Sequence, residues 1–329
     1  MPVFAEHKMR EPLLEVKDLV KSFTLKKTGF FQPPRFVYAV SGVSFSLDKG
    51  KTLGMVGESG CGKTTAGRAI LRLVEPTSGE INFEGQNVAR FSEHRLKQFR
   101  RNAQMIFQDP FASLNPRMTV ADIVGEPLLV HGMGPKGERA DRVAAVLEKV
   151  GLEPACMRRF PHEFSGGQRQ RIGIARVLTL NPALIIADEP VSALDVSIQA
   201  QIINLMVRLQ DELGLSYLFI SHDLAVVEHI CERVAIMYLG KIVEIAPAEN
   251  IYHRPQHPYT RSLLSAIPIP DPRKKIARTL LQGDLPSPVD PPSGCTFRTR
   301  CPKAQKICRE QVPEMVEVEP GHFAACHLL

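Results

Sequence analysis

A chain of 329 residues with 44% hydrophobic and 23% charged content carries enough apolar material for one large or two smaller packed domains, which excludes a disordered or fibrous protein. The formal net charge is +6, and its basic residues fall in short pieces (Arg100-Arg101, Arg158-Arg159, Arg169 and Arg171) without interleaved aromatics, a pattern that suits a solvated basic surface at least as well as a nucleic-acid groove. The first residues lack the apolar region of an export signal, and no apolar run approaches the roughly 18–20 residues needed to span a bilayer, so a soluble cytosolic protein with reduced thiols is expected.

In chain order, residues 13–25 have strand-like apolar content and residues 39–50 alternate like a second strand ending in a turn. The Gly- and Pro-containing stretch between them, 26–38, predicts a loop insertion. Residues 51–74 predict a buried strand, a glycine-rich turn and a helix, and residues 78–88 a hairpin. From 92 to 180 the spacing is mostly helical, with polar breaks at 109–118 and 131–140. Strand character returns at 183–190 and 216–223 around a helix at 197–213, and 233–246 predicts a closing pair of strands. After Ile251 the composition turns proline-dense, which predicts a linker and appendage rather than more of the layered sheet.

Gly57, Glu58, Ser59, Gly60, Cys61, Gly62, Lys63 and Thr64, followed by Thr65, fit a phosphate-binding loop placed between a strand and a helix. The glycines let backbone N–H groups turn inward on a polyphosphate, the helix N-terminus adds positive potential, Lys63 reaches the β- and γ-phosphates and the Thr64 hydroxyl suits Mg²⁺. An apolar run ending in Asp188 and Glu189 supplies the acidic partner: Asp188 for Mg²⁺ through water, Glu189 to polarise an attacking water. Ser165, Gly166, Gly167 and Gln168 make a second glycine-rich helix start. One nucleotide does not need two such sites in one chain, so the second is expected to complete the pocket of another subunit.

These elements, in this order, resemble the ATP-binding subunit of an ABC transporter, over residues 13 to about 249. The resemblance implies an α/β P-loop NTPase fold with a RecA-like core, an N-terminal antiparallel β subdomain and a helical signature subdomain at about 109–178. It makes 57–64 the Walker A loop, Gln108 the Q-loop glutamine and a further Mg²⁺ ligand beside Thr64 and Asp188, and 165–168 the signature. It makes Asp188 and Glu189 the Walker B pair, Ser192, Ala193, Leu194 and Asp195 the D-loop, and His222 the switch histidine. Phe23, or Tyr38 in view of the insertion, is the candidate for stacking on adenine. Two subunits would close head to tail around ATP and Mg²⁺, with Lys63 supplying charge, Glu189 the general base and His222 a hold on the γ-phosphate.

The segment 253–268, with His257-Pro258-Tyr259-Thr260, resembles the C-terminal extension of the peptide-importer ATPases, which divides the chain into an ATPase domain, 1–253, and a small cysteine-containing extension, 254–329. That likeness, closest to the second ATPase of a dipeptide importer, implies a peripheral subunit on the cytoplasmic side of a bacterial inner membrane. Its partners would be a second, homologous ATPase in a heterodimer, two transmembrane permease subunits and, indirectly, a solute-binding protein, with no nucleic acid. Nickel, glutathione and oligopeptide importers share the extension. A soluble ABC ATPase acting on nucleic acid or ribosomes is the other reading, supported only by the mild positive charge.

Of seven cysteines, Cys61, Cys156 and Cys231 stand singly, whereas Cys295, Cys301, Cys308 and Cys326 lie in the last 35 residues. Four thiolates suit tetrahedral Zn²⁺ or a [4Fe–4S] cluster, and the spacing alone decides neither. The peptide-importer resemblance implies the cluster, with Zn²⁺ as the alternative. His322 and His327 flank Cys326 as substitute ligands, both expected to be exposed, and the metal is expected to staple a tail too small to hold its own core.

Overall fold

The computed structural model describes residues 11–25, 34–109, 113–267 and 283–329. The interior of the expected insertion, 26–33, and part of the expected break after Gln108 fall outside those residues.

Strands β1 (Leu14–Thr24) and β2 (Phe36–Leu47) pair antiparallel with Leu14 opposite Leu47. In β2, buried Val43, Phe45 and Leu47 alternate with less buried Ser44 and Ser46, the period-2 pattern of a sheet with one face on a core. Strand β3 (Thr52–Val56) leads through the glycine-rich turn into helix α1 (Lys63–Ile70). Strands β4 (Ser78–Phe83) and β5 (Gln86–Asn87) form the expected hairpin and complete a four-stranded sheet ordered β2-β1-β4-β5.

Helix α2 (Glu93–Asn102) is followed by strand β6 (Ala103–Ile106), inside the stretch expected to be helical. Four residues are too short to show a period, and only the parallel partner, strand β7 (Leu184–Asp188), reveals β6. Between these strands lie helices α3 (Val120–Val130), α4 (Lys136–Lys149) and α5 (Gly166–Leu178). Thr119 caps α3 by accepting from the Asp122 N–H, one of the orphan donors of the first turn.

Helix α6 (Val196–Leu213), strand β8 (Ser216–Ser221), helix α7 (Leu224–Ile230) and strands β9 (Arg233–Tyr238) and β10 (Lys241–Pro247) complete the core. Five strands, β9-β3-β8-β7-β6, run parallel. β3, β7 and β8 are buried at every position, because the antiparallel sheet covers one face and helices the other.

The tail departs from the sequence expectation. After helices α8 (Ala248–His253), α9 (Pro258–Ser265) and α10 (Ile307–Glu310) come strands β11 (Val316–Glu319) and β12 (His322–Ala324). β12 pairs antiparallel with β10 and β11 with β12, so the tail extends the core sheet by two edge strands instead of hanging from it as an appendage. Strands of three and four residues carry too little pattern to be read beside so much proline.

The expectation of a tail unable to hold itself together is answered by docking rather than by a core of its own. Phe297, 1% exposed, sits against Tyr238, Tyr259 and His257 with ring centroids 5.2, 5.4 and 5.6 Å away. The carboxylate of Glu244, fully buried on β10, accepts from the N–H groups of Gln256 (2.7 Å) and His257 (3.0 Å) and from the Thr260 hydroxyl, and its other contact is His322 Nε2 at 2.7 Å. That many donors compensate the desolvation of a buried carboxylate. His257 Nδ1 caps α9 by accepting from the Tyr259 N–H, and burial pushes the His257 pKa down to about 3.

His322 is therefore buried and committed to Glu244, not exposed, and His327 Nε2 meets the Gln311 carbonyl at 3.1 Å.

Candidate nucleotide site

Lys63, the first residue of α1, has its ammonium inside the turn, donating to the carbonyls of Gly57 (2.7 Å) and Glu58 (2.9 Å). Gly62 has φ +108°, and a Cβ there would lie 2.0 Å from the Ala39 carbonyl oxygen of β2, so only glycine lets the turn pass so close to the neighbouring strand. Cys61 is buried at the base of the turn, and burial raises its pKa, which makes it a packing residue rather than a reactive thiol.

The residues expected to act together converge. The Thr64 hydroxyl donates to Asp188 Oδ1 at 2.8 Å, joining the start of α1 to the end of β7. Burial raises the Asp188 pKa, and the Thr64 hydrogen bond and the positive charge of Arg68 work against that rise. The Glu189 carboxylate is bracketed: Gln108 Nε2 donates to Oε2 at 2.8 Å and His222 Nδ1 lies 3.1 Å from Oε1. Gln108 thus meets Glu189 rather than Thr64 and Asp188, the pair it was expected to join as a metal ligand. Glu189 itself has φ +45°, a left-handed conformation costing about 1–3 kcal/mol for a non-glycine residue. It is held there by its N–H donating to the Ile220 carbonyl at 2.9 Å and by the Ser192 hydroxyl donating to its carbonyl at 3.1 Å.

The second glycine-rich start is built differently. Ser165 caps α5 in a reciprocal box with Gln168: its hydroxyl accepts from the Gln168 N–H at 3.4 Å and its own N–H donates to Gln168 Oε1 at 3.0 Å. A Cβ on Gly166 would lie 3.2 Å from Leu194 and one on Gly167 2.5 Å from Ile198, so these glycines let α5 approach α6 and the turn before it. That turn contains Ser192, Ala193, Leu194 and Asp195, and Asp195 caps α6 by accepting from the Ile198 N–H at 3.0 Å. Hydrogen bonds from the Ser197 hydroxyl and the Ile198 N–H hold the Asp195 carboxyl below its usual range. Among the described residues no hydrogen bond or ion pair joins residues 165–168 to residues 57–64.

The two aromatic candidates point apart. Phe23 pairs with Val37 across β1 and β2 while Tyr38 pairs with Ser22, which puts the rings on opposite faces of the ribbon. Both are about two-fifths exposed, and the Lys21 ammonium lies 4.8 Å from the Phe23 ring centroid.

The family comparison decides what this constellation is. The profile described as ABC transporter matches residues 40–192, and that described as oligopeptide/dipeptide transporter, C-terminal region, matches 243–308. The oligopeptide transport ATP-binding protein AppF of Bacillus subtilis is 58% identical over 97% of this chain and 98% of its own. The chain belongs to the ATP-binding subunits of ABC transporters. A putative peptide import ATP-binding protein of Brucella ovis is 57% identical over 96% of this chain and 97% of its own length. A solved dimeric ATP-binding cassette in a post-hydrolysis state bound to ADP and Pi superposes with a TM-score of 0.63 at 29% identity, covering 71% of this chain and 98% of that one. As an ABC ATPase subunit this protein binds and hydrolyses ATP, and no helix among its described residues is long and apolar enough to cross a membrane.

Two contacts on the phosphate loop escaped sequence reasoning. Arg300 of the tail grips the Glu58 carboxylate with both guanidinium ends, at 2.5 and 2.9 Å, and the Tyr259 hydroxyl accepts from the Glu58 N–H at 3.0 Å. These residues lie 242 and 201 positions from Glu58, and no local pattern announces either contact.

Proposed function

We propose that this subunit is the ATP-driven motor of an importer for short peptides, seated on the cytoplasmic face of a bacterial inner membrane. Two ATPase subunits, this chain and a homologue, close head to tail so that Walker A of one and the signature of the other enclose each ATP. Lys63 binds the β- and γ-phosphates, Thr64 and Asp188 hold Mg²⁺, Glu189 takes the proton of the attacking water, and His222 and Gln108 position the Glu189 carboxylate and the γ-phosphate. We assign Phe23 to adenine as the better match to the family's position ahead of the phosphate loop, with Tyr38, equally exposed on the other face, as its rival. Closure stores binding energy and loss of the γ-phosphate releases it, which moves a pair of permease subunits fed by a solute-binding protein.

The observation that carries this reading is the bracketing of Glu189 by Gln108 and His222 beside the Thr64–Asp188 pair, within a chain matched along nearly its full length by peptide-import ATPases. Exposed Leu73, Phe107 and Val130 around a groove of about 290 Å³ between α1, α3 and β6 supply an apolar seat for a permease segment next to Gln108. Deleting the chain should abolish growth on defined di- and tripeptides and leave growth on free amino acids intact. Affinity capture should enrich two polytopic membrane proteins. Salt-sensitive RNA or DNA in their place would sink the reading in favour of a nucleic-acid ATPase.

We also propose that Cys295, Cys301, Cys308 and Cys326 take a metal, a [4Fe–4S] cluster ahead of Zn²⁺. The support is a set of four free thiols close enough to raise one another's pKa at Cys295, Cys301 and Cys326, on top of the rise from burial, with the Gln305 N–H directed at Cys308 Sγ at 3.5 Å. As folded here the thiols do not close into ligand geometry among the described residues, so metal would have to draw them together. Elemental analysis of anaerobically prepared protein checks this, and protein holding neither iron nor zinc removes the proposal.

A further inference from the structure

Arg300 and Tyr259 belong to the tail, yet both end on the second residue of the phosphate loop. Glu58 is held from three sides: its N–H by the Tyr259 hydroxyl, its carbonyl by Lys63, and its carboxylate by the two-pronged Arg300. The Arg300 side chain is 6% exposed and Tyr259 is fully buried, so neither contact is a loose surface pairing. Tyr238 packs edge-on against Tyr259, with ring centroids 4.7 Å apart, and its hydroxyl and Arg300 Nε are both buried without a hydrogen-bond partner among the described residues. The loop's other flank is equally tight, since a Cβ on Gly57 would lie 2.1 Å from the Met237 carbonyl oxygen.

A carboxylate in a phosphate loop is an electrostatic liability, because its negative charge lies near where a triphosphate would bind. We propose that the C-terminal extension is a wall of the ATP site, in which Arg300 neutralises and orients Glu58 and Tyr259 fixes the loop backbone, so that the tail sets the affinity for ATP. Both act as positioning residues through Glu58. The inference rests on the assignment of residues 57–64 to ATP. It also accounts for the His-Pro-Tyr-Thr segment, in which His257 and Thr260 anchor α9 while Tyr259 reaches the loop.

The test is ATP binding and steady-state hydrolysis by the full-length chain and its variants, with thermal unfolding as the folding control. Loop shape and charge act on bound ATP and on the transition state alike, so KM should rise while kcat holds. Arg300→Met, which leaves the Glu58 charge unpaired, should raise KM for ATP about tenfold. Glu58→Gln combined with Arg300→Met should return KM to within about threefold of the unmodified chain, because the unpaired charge is gone. A tail that serves only for docking leaves KM unchanged in Arg300→Met, or gives a double variant as weak as the single one, and either result overturns the proposal. Should Arg300→Met fail to fold, Tyr259→Phe removes only a hydroxyl and should raise KM about threefold with kcat unchanged. An unmoved KM there also overturns it. Failure of the unmodified chain to bind ATP would instead remove the assignment of residues 57–64, independently of the tail.

Discussion

The phosphate loop and the signature turn are both glycine-rich starts of helices, yet they are supported in opposite ways. The loop is held by distant parts of the chain: the Ala39 carbonyl beside Gly62, Asp188 on Thr64, and Tyr259 and Arg300 of the tail on Glu58. The signature turn closes on itself through the Ser165–Gln168 box and packs on its immediate neighbours, Leu194 and Ile198. A site that needs the whole fold for its shape is a finished half-pocket. One that is finished locally, with no hydrogen bond or ion pair to that half-pocket among the described residues, is suited to be offered to another subunit.

The largest expected effect separates chemistry from closure. Glu189→Gln keeps the side chain's size and its contact with His222 but removes the base, so hydrolysis should fall by about 10²–10⁴-fold while ATP binding persists. ATP should then accumulate a closed dimer, visible by light scattering, that the unmodified protein forms only transiently. Unchanged turnover would take Glu189 out of the base role. ATP-dependent dimers that survive removal of the signature turn's Ser165 and Gly166 contacts would break the division between the two turns.

A smaller effect tests the dependence of the loop on the tail. His257 is held neutral by burial, with its pKa lowered to about 3, whereas in the unfolded chain it takes up a proton near the ordinary 6.5. The unfolded state therefore binds more protons between these values, and the contribution is complete above about pH 6.5 and is lost as pH falls toward 3. From pH 7 to pH 5 this single group should remove up to about 2 kcal/mol of stability. His257→Asn, which keeps an acceptor for the α9 cap without the titration, should lose correspondingly less. Urea midpoints at the two pH values for both proteins measure it, and equal losses would show that His257 does not carry the acid sensitivity. ATP affinity should weaken together with the tail at low pH, and the α5 cap should not.

How much of this was legible follows from the same contrast. The glycine-rich turns and the Asp188–Glu189 pair could be found because each sits at an element boundary with a local pattern, whereas Gln108 and His222 came only with the family resemblance; the structure brings Thr64 to Asp188 and Gln108 and His222 to Glu189. Strands β6, β11 and β12 were not legible, since three or four residues take strand form only through a partner elsewhere in the chain. Arg300 carried no local signal and His322 looked like a spare ligand, because sequence carries no sign of the Glu58 and Glu244 carboxylates they meet.

The smallest expected effect sharpens what the glycines of the signature helix are for. If Gly166 and Gly167 serve the close approach of α5 to α6, a neighbouring glycine without that contact should be dispensable. Gly173 is such a position: it lies in the interior of α5, and a Cβ there would meet nothing within 4 Å. Gly173→Ala should therefore stabilise the protein by about 0.5–1 kcal/mol, through helix propensity and reduced freedom of the unfolded chain, with ATP hydrolysis unchanged. Gly167→Ala places its methyl 2.5 Å from Ile198 and should instead cost about 1–3 kcal/mol, because the α5–α6 contact must open to admit it. Opposite signs in urea unfolding at two glycines of one helix would tie the signature sequence to packing as well as to phosphate. A stabilised Gly167→Ala would mean that α5 has room to shift, and that the turn's glycines answer only to the nucleotide it meets.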